Sequence, residues 1–188
     1  AIVYGRLTRP MVDSDFTRLA RLDRRSGKSA EIAARFDAQA SDWTISGDGG
    51  LVYFHSEDHG KVHVYAVPVS GGHPRVVIKG ETTGGIAVTK KGALVFTRQS
   101  LLAPAELWRA RADGTGQKAL TAFNDARMKS FDVGRVEDTT FKGADDDDVQ
   151  MFLVTPPGFD TAPPGTTWPL VQLIHGGPHS SWTDSWSY

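Results

Sequence analysis

The sequence predicts a mainly β chain: the last two and a half to three blades of a β-propeller, followed by the start of a second domain built on a different plan. Three observations carry that expectation. A unit of about 43 residues repeats, its runs are short and rich in Val, Ile, Tyr, Phe and Trp, and both features stop near residue 125.

The repeat is visible without gaps. Laying "DWTISGDGGLVYF" (42–54) over "GIAVTKKGALVFT" (85–97) pairs Trp43 with Ile86, Ile45 with Val88, Gly49 with Gly92, Leu51 with Leu94 and Tyr53 with Phe96, all at an offset of 43. The same offset carries "HVYAVPVSG" (63–71) onto "ELWRARADG" (106–114), so that Tyr65 meets Trp108 and Gly71 meets Gly114. An earlier unit fits at an offset of 45, with Leu19 on Val64 and Leu22 on Val67, and the chain is expected to begin inside it. Gly, Asp or Ser breaks the runs every eight to twelve residues or so, the pattern of strands joined by hairpins. A period of this length holding about four strands suits one propeller blade, a sheet that must stack on neighbours to bury its faces. Propellers close with about four to eight blades, so further blades are expected upstream.

From about residue 126 the pattern changes. "FKGADDDDVQMFLVTPPGF" (141–159) reads as a hairpin with an acidic turn followed by a buried strand, and a Pro/Gly-rich loop leads on to "LVQLIH" (170–175). That apolar run is expected to be a strand buried on both faces of a mostly parallel sheet. "HGGP" gives it a sharp exit. Ser181 and Asp184 then make a capping-box pattern, with Trp182 and Trp186 four apart, and predict a helix starting near residue 182. The expected domains are therefore 1–125 and 126–188.

Composition narrows the function classes. The 188 residues carry 21 basic and 22 acidic side chains with no long basic run, which argues against nucleic acid as a partner. No stretch of about eighteen apolar residues occurs, so neither a membrane span nor a membrane partner is expected, and the start shows no signal peptide. The absence of cysteine excludes thiolate metal sites and a cysteine nucleophile and leaves the compartment open between cytoplasm and bacterial periplasm. His55, His59 and His63 are spaced by four, but "YFHSEDHGKVHVY" reads as strand, turn, strand, and no metal site is expected. Asp145 to Asp148 lack the alternating ligands of a calcium loop and read as a solvated turn. Trp43, Tyr65 and Trp108 are assigned to packing between blades.

"LIHGGPHSSWTDSW" resembles the segment after the third core strand in the catalytic domain of the prolyl oligopeptidase family, above all its acylaminoacyl-peptidase and bacterial dipeptidyl-peptidase members. "ISGDGGLVYFHSEDHGKVHVYAVPVSGG", "LLAPAELWRARADG", "ALTAFND" and "FKGADDDDVQMFLVTPPGF" resemble, in order, the last blades and the domain junction of such enzymes. The resemblance implies a propeller capping an α/β-hydrolase domain, and a Ser-His-Asp triad that cleaves short peptides near their N-terminus without a cofactor. It makes the Gly177 backbone N–H an oxyanion-hole donor. It leaves the part of His175 open, since some relatives have a tyrosine there. In hydrolases of this fold one oxyanion donor comes from this loop, and the nucleophile sits in a G-x-S-x-G elbow. No such pentapeptide occurs in the sequence. The triad aspartate and histidine follow the serine in chain order. An internal fragment, inactive alone, is therefore expected, its partners being a short peptide substrate and the remainder of the polypeptide, on the same chain or a nicked one. The alternatives are an α/β-hydrolase acting on esters or other acyl compounds, and a non-catalytic propeller binding module.

Overall fold

A computed structural model describes residues 1–9, 12, 14–177 and 180–187. The chain is mainly β, and its first 119 residues form three antiparallel meanders in chain order. The first sheet contains β1 (Ile2–Arg6), β2 (Arg18–Leu22) and β3 (Ser29–Glu31). The second contains β4 (Ser41–Ile45), β5 (Leu51–Asp58), β6 (Lys61–Pro68) and β7 (Arg75–Ile78). The third contains β8 (Thr82–Val88), β9 (Leu94–Ser100), β10 (Ala103–Ala110) and β11 (Lys118–Ala119). The strands fall where the repeat places them: β5 and β9 start 43 residues apart, as do β7 and β11. These are blades of a propeller.

The second blade shows why its strands read as nearly continuous apolar runs. Side chains alternate across a strand, so one with both faces covered has no polar positions to spare. Val52, Phe54, Tyr65 and Val67 pack toward the first blade with Leu19 and Ile32. Tyr53, Val64, Ala66 and Ile78 pack toward the third with Leu94 and Phe96. On the first side Phe36 stands edge-on to Phe54 at 5.4 Å and to Tyr65 at 5.0 Å, while Phe54 and Tyr65 stack across the β5–β6 pair at 5.6 Å. Trp108 packs against the other cluster, with the Arg98 guanidinium 4.8 Å over its ring. Trp43 packs between blades as expected, yet it is not fully buried. It lies on edge strand β4 with its ring across Gly5 of the first blade, and solvent reaches it.

Blade-to-blade contact recurs at an equivalent turn. After β6 the Gly71 N–H bonds Pro68 O at 2.9 Å, and after β10 the Gly114 N–H bonds Arg111 O at 2.9 Å. Gly71 rests against the backbone of Ile32 in the blade before, and Gly114 against Val77 in its own preceding blade. Ile32 and Val77 are 45 apart, as the offset of the earlier unit requires.

Beyond the third blade, Glu106 on β10 ties down the departing chain. Its carboxylate accepts from the Thr121 hydroxyl, from Asn124 N at 2.8 Å and from Asn124 Nδ2 at 2.9 Å, and these bonds hold it below the usual carboxylate range. One helical turn, α1 (Asp125–Met128), leads to a two-stranded hairpin of β12 (Arg135–Lys142) and β13 (Asp148–Thr155). The acidic run forms the solvent-exposed turn, closed by Lys142 Nζ on Asp148 at 2.9 Å. β13 is not the buried strand expected. With β12 as its one partner among the described residues, β13 meets the blades through Gln150 and Phe152, and Val149, Met151 and Leu153 are left half-exposed on the other face.

Candidate functional site

The β5–β6 turn is the point on which the later part of the chain converges. Asp58 and Lys61 pair across a two-residue loop, His59 and Gly60, whose φ values of 49° and 66° are those of a type I′ hairpin. Gln150 Nε2 of β13 donates to His59 O at 2.9 Å, Lys61 Nζ lies 3.3 Å from Asp138 of β12, and the Phe152 ring rests on Gly60. The Asp138 carboxyl is held below its ordinary value, first by the amide of Gln150 and then by Lys61. A cleft of about 230 Å³ opens here, lined by Lys61, Glu81, Ser100, Asp138, Phe152 and Asp184, with Glu81 paired to Arg98.

The predicted site residues lie apart from this cleft's interior. Residues 170–174, expected as a buried strand, have no strand partner among the described residues, and Leu170, Val171, Leu173 and Ile174 are between 72% and 86% exposed. A parallel strand needs a sheet to join and cover over both of its faces, and none of the described strands lies beside this one. His175 is exposed, its Nδ1 3.4 Å from Gly176 O. Gly177 is also exposed, at φ 138°, a backbone conformation in which a side chain is strained. Pro178 and His179, which complete the motif, lie outside the described residues.

The helix expected near residue 182 does not form: residues 180–187 carry neither helix nor strand. Asp184 has other partners. Its N–H donates to Gly60 O at 2.7 Å and its carboxylate accepts from Leu101 N at 2.7 Å, so the group read as a cap is committed to two blade turns. Sequence reasoning could not find this tie, because 83 residues separate the bonded groups.

The three histidines do not converge. Register pairs His55 with Val64 and Ser56 with His63, which puts the His55 and His63 rings on opposite faces of the blade, while His59 sits in the exposed turn. Burial pushes both His55 and His63 below the ordinary histidine value, opposed at His55 by Asp42 and at His63 first by the hydrogen bond to Gly80 O and then by Asp58.

Comparison with known proteins bears on this geometry. No family model matches the chain. It is 27% identical over 192 residues to dipeptidyl-peptidase 5 of Schizosaccharomyces pombe, an alignment covering 99% of this chain and 27% of that protein. The dipeptidyl-peptidase 5 of Trichophyton equinum is 28% identical over 209 residues, covering 98% of this chain and 28% of its own length. Nearly all of the chain is thus similar to dipeptidyl-peptidase 5. It spans about a quarter of the length of the curated relatives it matches. Among solved structures, the acylaminoacyl peptidase of Pyrococcus horikoshii superposes with a TM-score of 0.75 at 20% identity, over 92% of this chain and 25% of that one, a likeness of fold.

Proposed function

We propose that the intact protein is a serine peptidase that hydrolyses short peptides near their N-terminus, releasing dipeptides or acylaminoacyl units. The observation that carries this reading is the similarity to dipeptidyl-peptidase 5 along 98–99% of the chain, through the blades and the His-Gly-Gly-Pro segment alike. In this reading residues 1–125 are propeller, and residues 126–188 are the junction and the first part of the catalytic domain. The catalytic serine, aspartate and histidine are supplied by the rest of the polypeptide, and the chain alone is inactive.

Gly177 has a definite task in that mechanism. When the serine attacks the scissile carbonyl, its oxygen becomes an oxyanion, and a preplaced backbone N–H stabilises the charge without reorganising at that moment. Glycine lets the backbone approach where a Cβ would intrude, and the φ of 138° at Gly177 suits glycine. His175 lies two residues earlier in the same loop, and the propeller limits entry to peptides small enough to reach the site.

The test is to purify the intact protein and measure hydrolysis of dipeptidyl and N-acetyl-aminoacyl amides beside simple esters, with a fluorophosphonate as serine label. Amide turnover that the label abolishes is expected. Turnover of the esters alone would overturn the peptidase reading.

A further inference from the structure

Among the described residues Asp184 is the only buried carboxylate, and its two bonds end on different blades. Gly60 closes the β5–β6 turn of the second blade, and Leu101 lies in the β9–β10 turn of the third. One residue thus bridges adjacent blades, through a backbone N–H on one side and a charge-assisted acceptor on the other. The β5–β6 turn is also where β13 is fastened, through Gln150 on His59 O and Phe152 on Gly60. The stretch that carries His175 and Gly177 therefore leaves the blades at one side of a single turn and returns to it at Asp184.

We propose that Asp184 is a positioning residue for the Gly177 loop: its bridge between two blade turns is the distal anchor that fixes where the Gly177 N–H is presented. Gly177 lies seven positions before the anchor, a tether of at most about 25 Å when fully extended. Cutting the anchor leaves Trp168, whose ring lies 5.8 Å from that of Phe159, as the nearest upstream contact, and nothing then holds the loop on its far side among the described residues. The inference rests on the reading of Gly177 as an oxyanion donor.

The consequence for rate follows from geometry. A donor displaced by about 1 Å can lose about 100-fold in turnover, whereas ground-state binding, which does not use the oxyanion, is spared. The experiment uses the intact protein with Asp184→Ala, Asp184→Asn and Asp184→Glu. Asparagine keeps an oxygen for the Leu101 N–H, alanine removes it, and glutamate keeps the charge on an arm one methylene longer. Expected are a 10- to 100-fold fall in kcat for a peptide amide with KM unchanged in the alanine and glutamate variants, a matching loss of affinity for a peptide aldehyde, and recovery to within several-fold in the asparagine variant. Hydrogen exchange reads the anchor independently: amides of 175–183 should exchange faster in Asp184→Ala while those of β5, β6 and β9 do not. Unchanged exchange in that loop, or a fall in melting temperature with kcat and aldehyde affinity intact, would overturn the proposal. A wild-type protein without amide hydrolysis would defeat the peptidase reading instead, and the exchange measurement would still decide the anchor.

Discussion

Replacing Gly114 with alanine should separate the two halves of the blade-to-blade contact, strain and collision. At φ 86° an L side chain is strained by about 1–2 kcal/mol wherever it is placed. A Cβ on Gly114 would also lie 2.7 Å from the carbonyl carbon of Val77 and overlap its oxygen, so the β10–β11 turn and β7 must move apart. Overpacking of that kind adds about 1–3 kcal/mol, for a total of about 2–5 kcal/mol. Gly71 is the control that the repeat supplies. It has φ 100°, but a Cβ there would meet Ile32 O at 3.7 Å, an ordinary contact, so Gly71→Ala should cost the strain alone. Gly27, at φ 68° with nothing near, is a second control. Native-state hydrogen exchange of the intact protein, read at amides of β7 and β10, would show the Gly114 variant opening more readily than either control. Equal effects of the three substitutions would refute the collision and leave backbone strain as the whole cost.

Phe54→Ala should destabilise the first two blades by about 3–5 kcal/mol, because Phe54 is fully buried and touches both Phe36 and Tyr65; a urea titration showing less than about 1 kcal/mol would deny that cluster its role. His55 is held neutral by burial while the unfolded chain takes up a proton near the ordinary value of 6.5, so its contribution to stability is full above that pH and declines below it. His55→Leu should therefore lose less stability than wild type between about pH 7 and about pH 5, and parallel losses would count against the assignment. Gly177→Ala should lower kcat for amide hydrolysis by the intact protein about 100-fold or more with little change in KM; a rise in KM alone would place Gly177 in ground-state binding rather than at the oxyanion.

Where the fold was legible in the sequence, repetition made it so. The 43-residue offset located β5 against β9 and β7 against β11, because each blade solves the same packing problem with the same strand lengths. Residues 170–187 were legible as a motif but not as a conformation. The apolar run 170–174 has the pattern of a buried strand, yet a strand takes that form only with neighbours, which the pattern does not contain. Ser181 and Asp184 have helix-cap spacing, and the outcome was decided by two blade turns far away in sequence, an instance of tertiary bonding overriding local preference. Trp43 packs against the neighbouring blade as assigned, but repeat equivalence to Ile86 fixes its strand and not how far an edge strand is covered.

The uncovered run at 170–174 also bears on how such a protein is made. Four bulky apolar side chains displayed within five residues form an adhesive surface for any other chain with a free strand, and the hazard is greatest while a nascent polypeptide is still folding. Local chemistry limits it: Pro169 blocks pairing on one side, Gln172 interrupts the middle, and two glycines follow His175. Substituting Pro169 or Gln172 by valine would therefore be felt first as lower soluble yield, in protein whose fold, once reached, is unaltered.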